Sequence, residues 1–148
     1  MSKIIEITIS NESGEKMQKV NSIDAIAGEG LLNDRYCKKY NDVDNQITLI
    51  ESENIDYFNK LLDSNIPYVN FRRNIVTINI HLNELVGKEF LLGEVKIKGQ
   101  RLCEPCKYLQ DKLGQKDLVK TLLHKGGLRC QILSSGKISV NDKITMIN

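Results

Sequence analysis

One segment, FRRNIVTINI at residues 71–80, has the strongest β-strand pattern in the chain, because isoleucine, valine and threonine dominate it. Weaker strand patterns lie on both sides of it along the sequence. Their segments are IIEITIS, MQKVNSIDAIA, QITLI, the two arms of EFLLGEVKIKGQRL around Gly93, and two strands in LRCQILSSGKISVNDKITMI. A chain with this many strand segments is constrained to a β-rich core.

Helical patterns are fewer and do not alternate strictly with the strands. ESENIDYFNKLL places Ile55, Phe58, Leu61 and Leu62 on one face. A second helix is predicted after CEPC, and QKDLVKTLLHK forms a third that ends at paired glycines. This mixture predicts an α+β fold that is predominantly β, a mostly antiparallel barrel with a few peripheral helices, in one domain over residues 1–148.

The composition is that of an ordinary globular protein, with 27% charged and 41% hydrophobic residues. The longest apolar runs fall far short of the roughly 20 residues that span a bilayer, so no membrane association is expected. The N-terminus alternates like a strand rather than a signal peptide. We therefore expect a cytoplasmic location, in which the cysteines stay reduced.

The charge distribution is uneven. The net charge of +2 is too small to indicate nucleic-acid binding, yet residues 95–130 hold nine Lys or Arg against three Asp or Glu, an excess of +6. GEGLLNDRYCKKYNDVDN is predicted to be a long loop, and loops of that length are usually functional or mobile. The basic segment indicates either an anionic ligand or a solvated, lysine-rich helix face.

The motif CEPC places Cys103 and Cys106 three positions apart at a predicted strand-to-helix junction. A structural zinc site usually needs two such pairs, and the other candidate ligands are scattered singly. They are Cys37, Cys130, His81 and His124. Thiol–disulfide exchange is a second possibility, since a helix dipole favours a thiolate. The third is a soft transition metal, such as molybdenum on a pterin dithiolene, held by one thiolate.

Six stretches resemble, in order, the MOSC domain, the module found at the C-terminus of molybdenum cofactor sulfurases and in small bacterial proteins. They are LLNDRY, QITLI, FRRNIV, LVGKEFLLGEVKIKG, LCEPCKYL and GGLRCQILSSGKISVNDKI. The resemblance spans roughly residues 24–147. It implies a β-barrel-centred α+β fold that binds the molybdenum cofactor or handles sulfur destined for it.

The resemblance also implies site residues. Cys106 would be the catalytic or molybdenum-ligating thiol, and Cys103 an accessory thiol. The implied cofactor-binding residues are Asp34, Arg35, Arg72, Arg73, Asn74, Lys125, Gly126, Gly127 and Arg129. The two glycines are expected to allow close backbone approach to a ligand. Arg72 and Arg73, as neighbours on a predicted strand, are expected to face opposite sides, so that at most one reaches the ligand.

Alternatives remain for individual residues. Asp34 and Arg35 could orient a ligand or pair with each other, and Lys125 could contact phosphate or complement a helix dipole. Cys130 is predicted to be a core residue. The chain also departs from the family pattern, with Asn33 in place of a loop glycine. Asparagine tolerates the left-handed conformation, so the turn is expected to survive.

Tyr36 and Cys37 stand where the family often has histidine, so a contact made by that histidine cannot be transferred. Pyridoxal phosphate is not expected, because the chain carries no aminotransferase-like domain. The expected function is binding of the molybdenum cofactor, for delivery of cofactor or sulfur, or for a small reductase of N-hydroxylated compounds. Its partners would be molybdopterin, an electron donor, and cofactor biosynthesis or acceptor proteins. The alternatives are a persulfide carrier without stably bound metal and a non-catalytic cofactor-binding or sensing module.

Overall fold

The computed structural model describes residues 1–12, 16–37 and 43–147. The predicted long loop therefore lies partly outside the described residues. The strands are β1 Lys3–Ile9, β2 Gln18–Val20, β3 Ser22–Ile26, β4 Gly30–Leu31, β5 Ile47–Glu51, β6 Ile75–Ile78, β7 Glu89–Leu92, β8 Val95–Leu102, β9 Leu128–Ile132, β10 Gly136–Ser139 and β11 Ile144–Met146. The helices are α1 Ser52–Leu61, α2 Lys107–Leu113 and α3 Leu118–Thr121, with 3₁₀ turns at Tyr68–Phe71 and Leu82–Leu85.

Eight strands form the main sheet, in the order β11-β7-β8-β9-β5-β6-β1-β2, and β10-β3-β4 form a smaller one. Only β5 and β6 pair in parallel within the described sheets, and α1 connects them as a crossover helix. The main sheet curls, because Lys3 in β1 bridges to Lys143 just before β11, and the Ile4 amide donates to the Asp142 carbonyl at 3.0 Å. The predicted α+β, mainly antiparallel, barrel-like fold is confirmed.

The core divides into two clusters on the two faces of the central strands. Leu49 and Ile75 point into the curled sheet, whereas their neighbours Ile50 and Val76 point outward beneath the helices. Under α1, the rings of Phe58 and Phe71 meet edge to face, with their centroids 5.9 Å apart. Burying each such ring contributes about 2 to 3 kcal/mol. The helices are therefore fixed to the outside of β5 and β6, next to the ends of those strands.

The strongest strand prediction was right in place but too long at its start. Strand β6 begins only at Ile75, because Tyr68–Phe71 form a 3₁₀ turn and Arg72 follows in the left-handed conformation with φ of 62°. Arg72 and Arg73 are thus not neighbours on a strand, and the expectation that they face opposite sides was wrong. A turn lets consecutive side chains converge, which the alternation of a strand forbids.

Other boundaries also shifted. The third predicted helix is reduced to the four residues of α3, and MQKVNSIDAIA divides into β2 and β3. The closing segment forms three strands rather than two, because β10 pairs with β3 instead of continuing the main sheet. Within the described residues, no helix combines the length and apolarity that a membrane span requires.

Candidate functional site

A cleft of about 260 Å³ opens beside the N-terminus of α2. It lies where the turn before β6, the start of β9 and the loop after β4 meet. The lining residues are Arg35, Tyr36, Arg72, Arg73, Glu104, Cys106, Tyr108, Leu109 and Arg129. Five residues implied by the sequence therefore come together here: the Cys106 thiol and four arginines.

Cys106 is exposed, whereas Cys103 is buried with 2% of its surface accessible. Cys106 precedes α2 in an extended conformation, and its carbonyl accepts the Gln110 amide at 3.1 Å. The Cys103 amide donates to the Gly127 carbonyl at 2.8 Å, which fixes the start of the motif against β9. All four cysteines are free thiols. Of the CEPC pair, Cys106 is therefore the thiol that a ligand can reach.

Arg73 is held in position by backbone carbonyls. Its Nε donates to the Gly126 carbonyl at 2.9 Å, and Nη1 donates to the Phe71 carbonyl at 3.3 Å. Both hydrogen bonds go to backbone carbonyls, so neither of them pairs the guanidinium with a carboxylate. A cation fixed in this way keeps its charge available to the cleft.

Arg35 and Arg72 bring two more cations to the same side of the cleft. Arg35 stacks over the Tyr36 ring at 4.6 Å and donates from Nη2 to the Arg72 carbonyl at 3.3 Å. Burial, and next the positive charge of Arg35, lower the pKa of Arg72, while Tyr108, Tyr36 and Asp34 have smaller opposite effects. An anion in the cleft would offset this repulsion between like charges.

Arg129 contributes a buried donor. Its Nη1 donates to the side-chain oxygen of Asn45, but its Nε is buried and has no hydrogen-bond partner among the described residues. Most buried polar groups in proteins are hydrogen-bonded, and the exceptions often mark ligand or ion sites. The cleft therefore combines an accessible thiol and several guanidiniums, one of which has a buried N–H with no partner in the part of the chain that the structure describes.

Asn74 lies behind the cleft rather than in it. Its side-chain oxygen accepts from the Thr48 amide at 3.1 Å and the Thr48 hydroxyl at 3.2 Å, and its amide nitrogen donates to the Thr8 carbonyl at 3.1 Å. The residue is fully buried and joins β1, β5 and the start of β6. These bonds occupy its polar atoms within the sheet, and the implied contact of its side chain with a cofactor stays a prediction.

Asp34 is likewise occupied by the protein. Its carboxylate accepts the Ser10 amide at 3.0 Å and lies 3.4 Å from Arg35 Nη1, with the carboxylate side chain fully buried. Asn33 before it has φ of 68°, which confirms the left-handed turn expected of an asparagine there. Asp34 therefore pairs with Arg35 and positions it. Of these two residues, Arg35 lines the cleft and Asp34 does not.

The basic and glycine residues before β9 do not line the cleft either. Lys125 Nζ lies 4.3 Å from the ring centroid of Tyr57 on α1. A β-carbon on Gly126 would collide with the Cys103 carbonyl and Pro105, and one on Gly127 with the Leu49 carbonyl. The close approach that these glycines allow in the structure is therefore to the protein's own backbone, and the expectation that they also admit a ligand stays a prediction.

Sequence reasoning missed four lining residues: Tyr36, Glu104, Tyr108 and Leu109. Glu104 accepts the His124 amide at 2.7 Å and lies 2.7 Å from His124 Nδ1, so it holds the loop before β9 at the rim of the cleft. Three of the four are within three residues of Cys106, and that proximity was the available signal. No group of three or more His, Cys, Asp or Glu that could hold a metal ion occurs among the described residues.

The family model for the MOSC domain matches residues 27–145, most of the chain. The protein belongs to the MOSC domain family. This family is generally linked to binding of the molybdenum cofactor. No curated protein matches the sequence closely enough to count as a relative.

This MOSC domain has well-matched structural neighbours. The crystal structure of YiiM from Geobacillus stearothermophilus gives a TM-score of 0.82 at 16% identity, covering 100% of this chain and 76% of that one. YuaD from Bacillus subtilis also gives 0.82, at 15% identity with 97% and 94% covered. YiiM from Escherichia coli gives 0.74 at 17% identity with 100% and 70% covered. At these identities the likeness establishes the MOSC fold alone.

Proposed function

We propose that this MOSC domain binds the molybdenum cofactor and that Cys106 supplies the thiolate ligand to molybdenum. The observation that carries the proposal is the exposed Cys106 thiol in the same cleft as Arg35, Arg72, Arg73 and Arg129. A thiolate is the ligand type that soft metal centres prefer. Guanidiniums bind phosphate through paired N–H donors, and the cofactor's pterin carries a phosphate.

Different residues of the cleft are proposed to hold different parts of the cofactor. Arg73, anchored on the Gly126 carbonyl, and Arg129, whose buried Nε has no hydrogen-bond partner among the described residues, are the donors proposed for the phosphate. Donors that are already fixed before binding lose little conformational entropy, so they bind more tightly. Tyr36 and Tyr108 give the cleft flat walls suited to a pterin ring.

The bound metal would supply the redox chemistry, and the protein would supply ligation, orientation and positive charge. The bound cofactor would serve one of two uses. In the first, the cofactor or its sulfur is passed to an acceptor protein. In the second, the protein reduces N-hydroxylated compounds with electrons from a partner protein. Both uses suit a cleft whose thiol is exposed to solvent. We place this activity in the cytoplasm, in a domain formed by residues 1–148.

The deciding experiment is metal and pterin analysis of protein made in a host that synthesises molybdenum cofactor. The native protein and Cys37→Ser, a thiol outside the cleft, are expected to hold near-stoichiometric molybdenum. Cys106→Ser is expected to hold less than about a tenth as much, since it loses the soft ligand. Equal molybdenum in all three proteins, or none in any of them, would refute the proposal.

A persulfide carrier is the second candidate, and it is favoured by one observation: Cys106 is the only exposed thiol of the four cysteines. An accessible thiolate is the form that accepts and donates sulfur. This candidate predicts sulfur that dithiothreitol releases from the native protein and from Cys37→Ser, but not from Cys106→Ser. Metal-free native protein without releasable sulfur would exclude it.

A further inference from the structure

The Cys106 cleft carries an excess of positive charge around its thiol. Its described lining residues include four arginines and one carboxylate, that of Glu104. Both oxygens of this carboxylate contact His124, one at the backbone amide and the other at Nδ1, each at 2.7 Å. A small anion with more than one negative charge therefore suits the cleft by charge alone.

The guanidiniums are fixed before any ligand enters. Arg72 keeps 7% of its surface exposed and the Arg35 side chain 6%, although both line a cleft that is open to solvent. Arg129 adds a buried Nε without a hydrogen-bond partner among the described residues. Fixed N–H donors of this kind match the oxygens of an oxyanion, and they lose little conformational entropy when they bind it.

The thiol and the arginines share one small space. Cys106 is exposed, so a reactant can approach its sulfur from solvent. A water molecule takes about 30 Å³ in the liquid, so a cleft of about 260 Å³ has room for an anion of a few heavy atoms beside the thiol. A reactant held there meets a nucleophile at one end and hydrogen-bond donors at the other.

We propose that the metal-free domain takes sulfur directly from thiosulfate, a dianion that joins a transferable outer sulfur to a sulfite group. The Cys106 thiolate attacks the outer sulfur, and a new S–S bond forms on the protein. The S–S bond of thiosulfate breaks, and its electron pair leaves with sulfite. Atoms and charge are equal on both sides of this step, and thiosulfate itself is the only co-reactant.

The arginines have a defined part in this step. Negative charge moves onto the sulfite oxygens as the S–S bond breaks, and guanidiniums that are already in place stabilise that charge. The Cys106 persulfide then passes its outer sulfur to a nucleophilic acceptor, which restores the thiolate. This inference rests on the persulfide candidate above, because it names the donor of the sulfur. It applies to protein without molybdenum, since a thiolate bound to the metal is not free to attack.

The first test uses the full chain made in a host that lacks the molybdenum cofactor. Thiosulfate and cyanide are added, and thiocyanate and sulfite are measured, because cyanide accepts the outer sulfur of a persulfide. The native protein and Cys37→Ser are expected to form both products, and Cys106→Ser neither. Without cyanide, the intact mass of the native protein should rise by one sulfur atom. No thiocyanate from the native protein, or as much from Cys106→Ser, would overturn the proposal.

The second test concerns the guanidiniums. Arg129→Gln is expected to slow thiocyanate formation at low thiosulfate at least about tenfold. The matched control is Arg101→Gln, opposite Arg129 in the register of β8 and β9, with a side chain that is 59% exposed outside the cleft. It should react like the native protein, and equal rates in the two variants would overturn the proposal.

The native protein provides a further check that does not depend on the folding of a variant. Sulfate, an oxyanion without a transferable sulfur, is expected to compete with thiosulfate, whereas sodium chloride of equal ionic strength is not. Absence of competition by sulfate would contradict an oxyanion site beside the thiol.

The outcomes also separate this inference from the functions proposed above. Sulfur that dithiothreitol releases from the native protein as isolated, together with no reaction with thiosulfate, would overturn this inference and leave the persulfide candidate intact. Molybdenum held through Cys106 in a cofactor-producing host, together with an unreactive metal-free chain, would overturn it and leave the metal-binding proposal intact.

Discussion

Arg73 and Asn74 are neighbours in sequence, yet they belong to two different regions of the site. Arg73 lines the cleft. Its hydrogen bonds described above go to backbone carbonyls, so none of them pairs its positive charge with a carboxylate. Asn74 belongs to what we call the support, the buried residues Thr8, Thr48, Asn74, Gly126 and Gly127 behind the cleft. Other parts of the protein form hydrogen bonds to the polar groups of the support and occupy the space beside its two glycines. Neighbouring positions in the sequence therefore do not share a role, and tertiary contacts separate the residues that line the cleft from those that hold them.

The largest effect on stability is expected from Gly127→Ala in the support. Gly127 has φ of 114°, and an added β-carbon would collide with the Leu49 carbonyl of β5. Backbone cannot move aside as a side-chain end can, so we expect the free energy of unfolding to fall by about 4 kcal/mol or more. Urea denaturation of the native protein and the variant measures this difference.

Gly114→Ala is the matched control for that substitution. Gly114 also has a positive φ, of 64°, but nothing lies within 4 Å of an added β-carbon. Only the conformational cost remains, which is about 1 kcal/mol. Equal losses in the two variants would show that Gly127 is needed for its backbone angle alone and not for close packing against β5.

A smaller effect is expected from Asn74→Ala. The change leaves the Thr48 amide and the Thr8 carbonyl buried without their partners, at a cost of about 3 kcal/mol together. Asn83→Ala removes only a solvent-exposed hydrogen bond, from the side-chain amide to the His124 carbonyl, and should cost less than about 1 kcal/mol. Urea denaturation measures both values. If Asn74→Ala lowered the free energy of unfolding no more than Asn83→Ala does, Asn74 would not stabilise the fold, and the distinction between the support and the cleft would not hold for this residue.

The fold was predictable from sequence because its main signals are local. The hairpin around Gly93 and the strand at Ile75 depend on alternation and β-branched residues, and the structure confirms both as β7–β8 and β6. Strand ends were less predictable. The late start of β6 depends on a 3₁₀ turn that sets Arg72 at a positive φ, which a pattern of apolar residues does not encode.

The site was predictable only in part, because local sequence patterns do not show which distant residues meet in the fold. The family resemblance gave the residue types, and Cys106 and four arginines do meet in one cleft. It could not distinguish Asp34, which pairs with Arg35, or Lys125, which lies over Tyr57, from residues that face a ligand. That distinction depends on tertiary neighbours that are far apart in sequence, and one sequence by itself does not contain them.

The smallest effect on stability is expected on strand β9, which lines the cleft with one residue and packs the next into the core. Arg129 points to the cleft, and the next residue, Cys130, is fully buried in the core. Burial, and next the neighbouring Cys103, raise the pKa of the Cys130 thiol well above its ordinary value. The unfolded thiol ionises near its ordinary pKa of about 8.5, while the folded thiol keeps its proton.

The unfolded chain therefore binds fewer protons than the folded one above about pH 8.5, and the stability that the neutral thiol contributes is lost as the pH rises. We expect the advantage of the native protein over Cys130→Ala in urea denaturation to shrink by about 1 kcal/mol between about pH 8 and about pH 9.5. Ile132→Val, another buried truncation on β9, has no titrating group, so its cost should stay constant over that range. A constant cost for Cys130→Ala as well would mean that this thiol is as accessible to solvent as one in the cleft, and the boundary between the cleft and the core would not lie between Arg129 and Cys130.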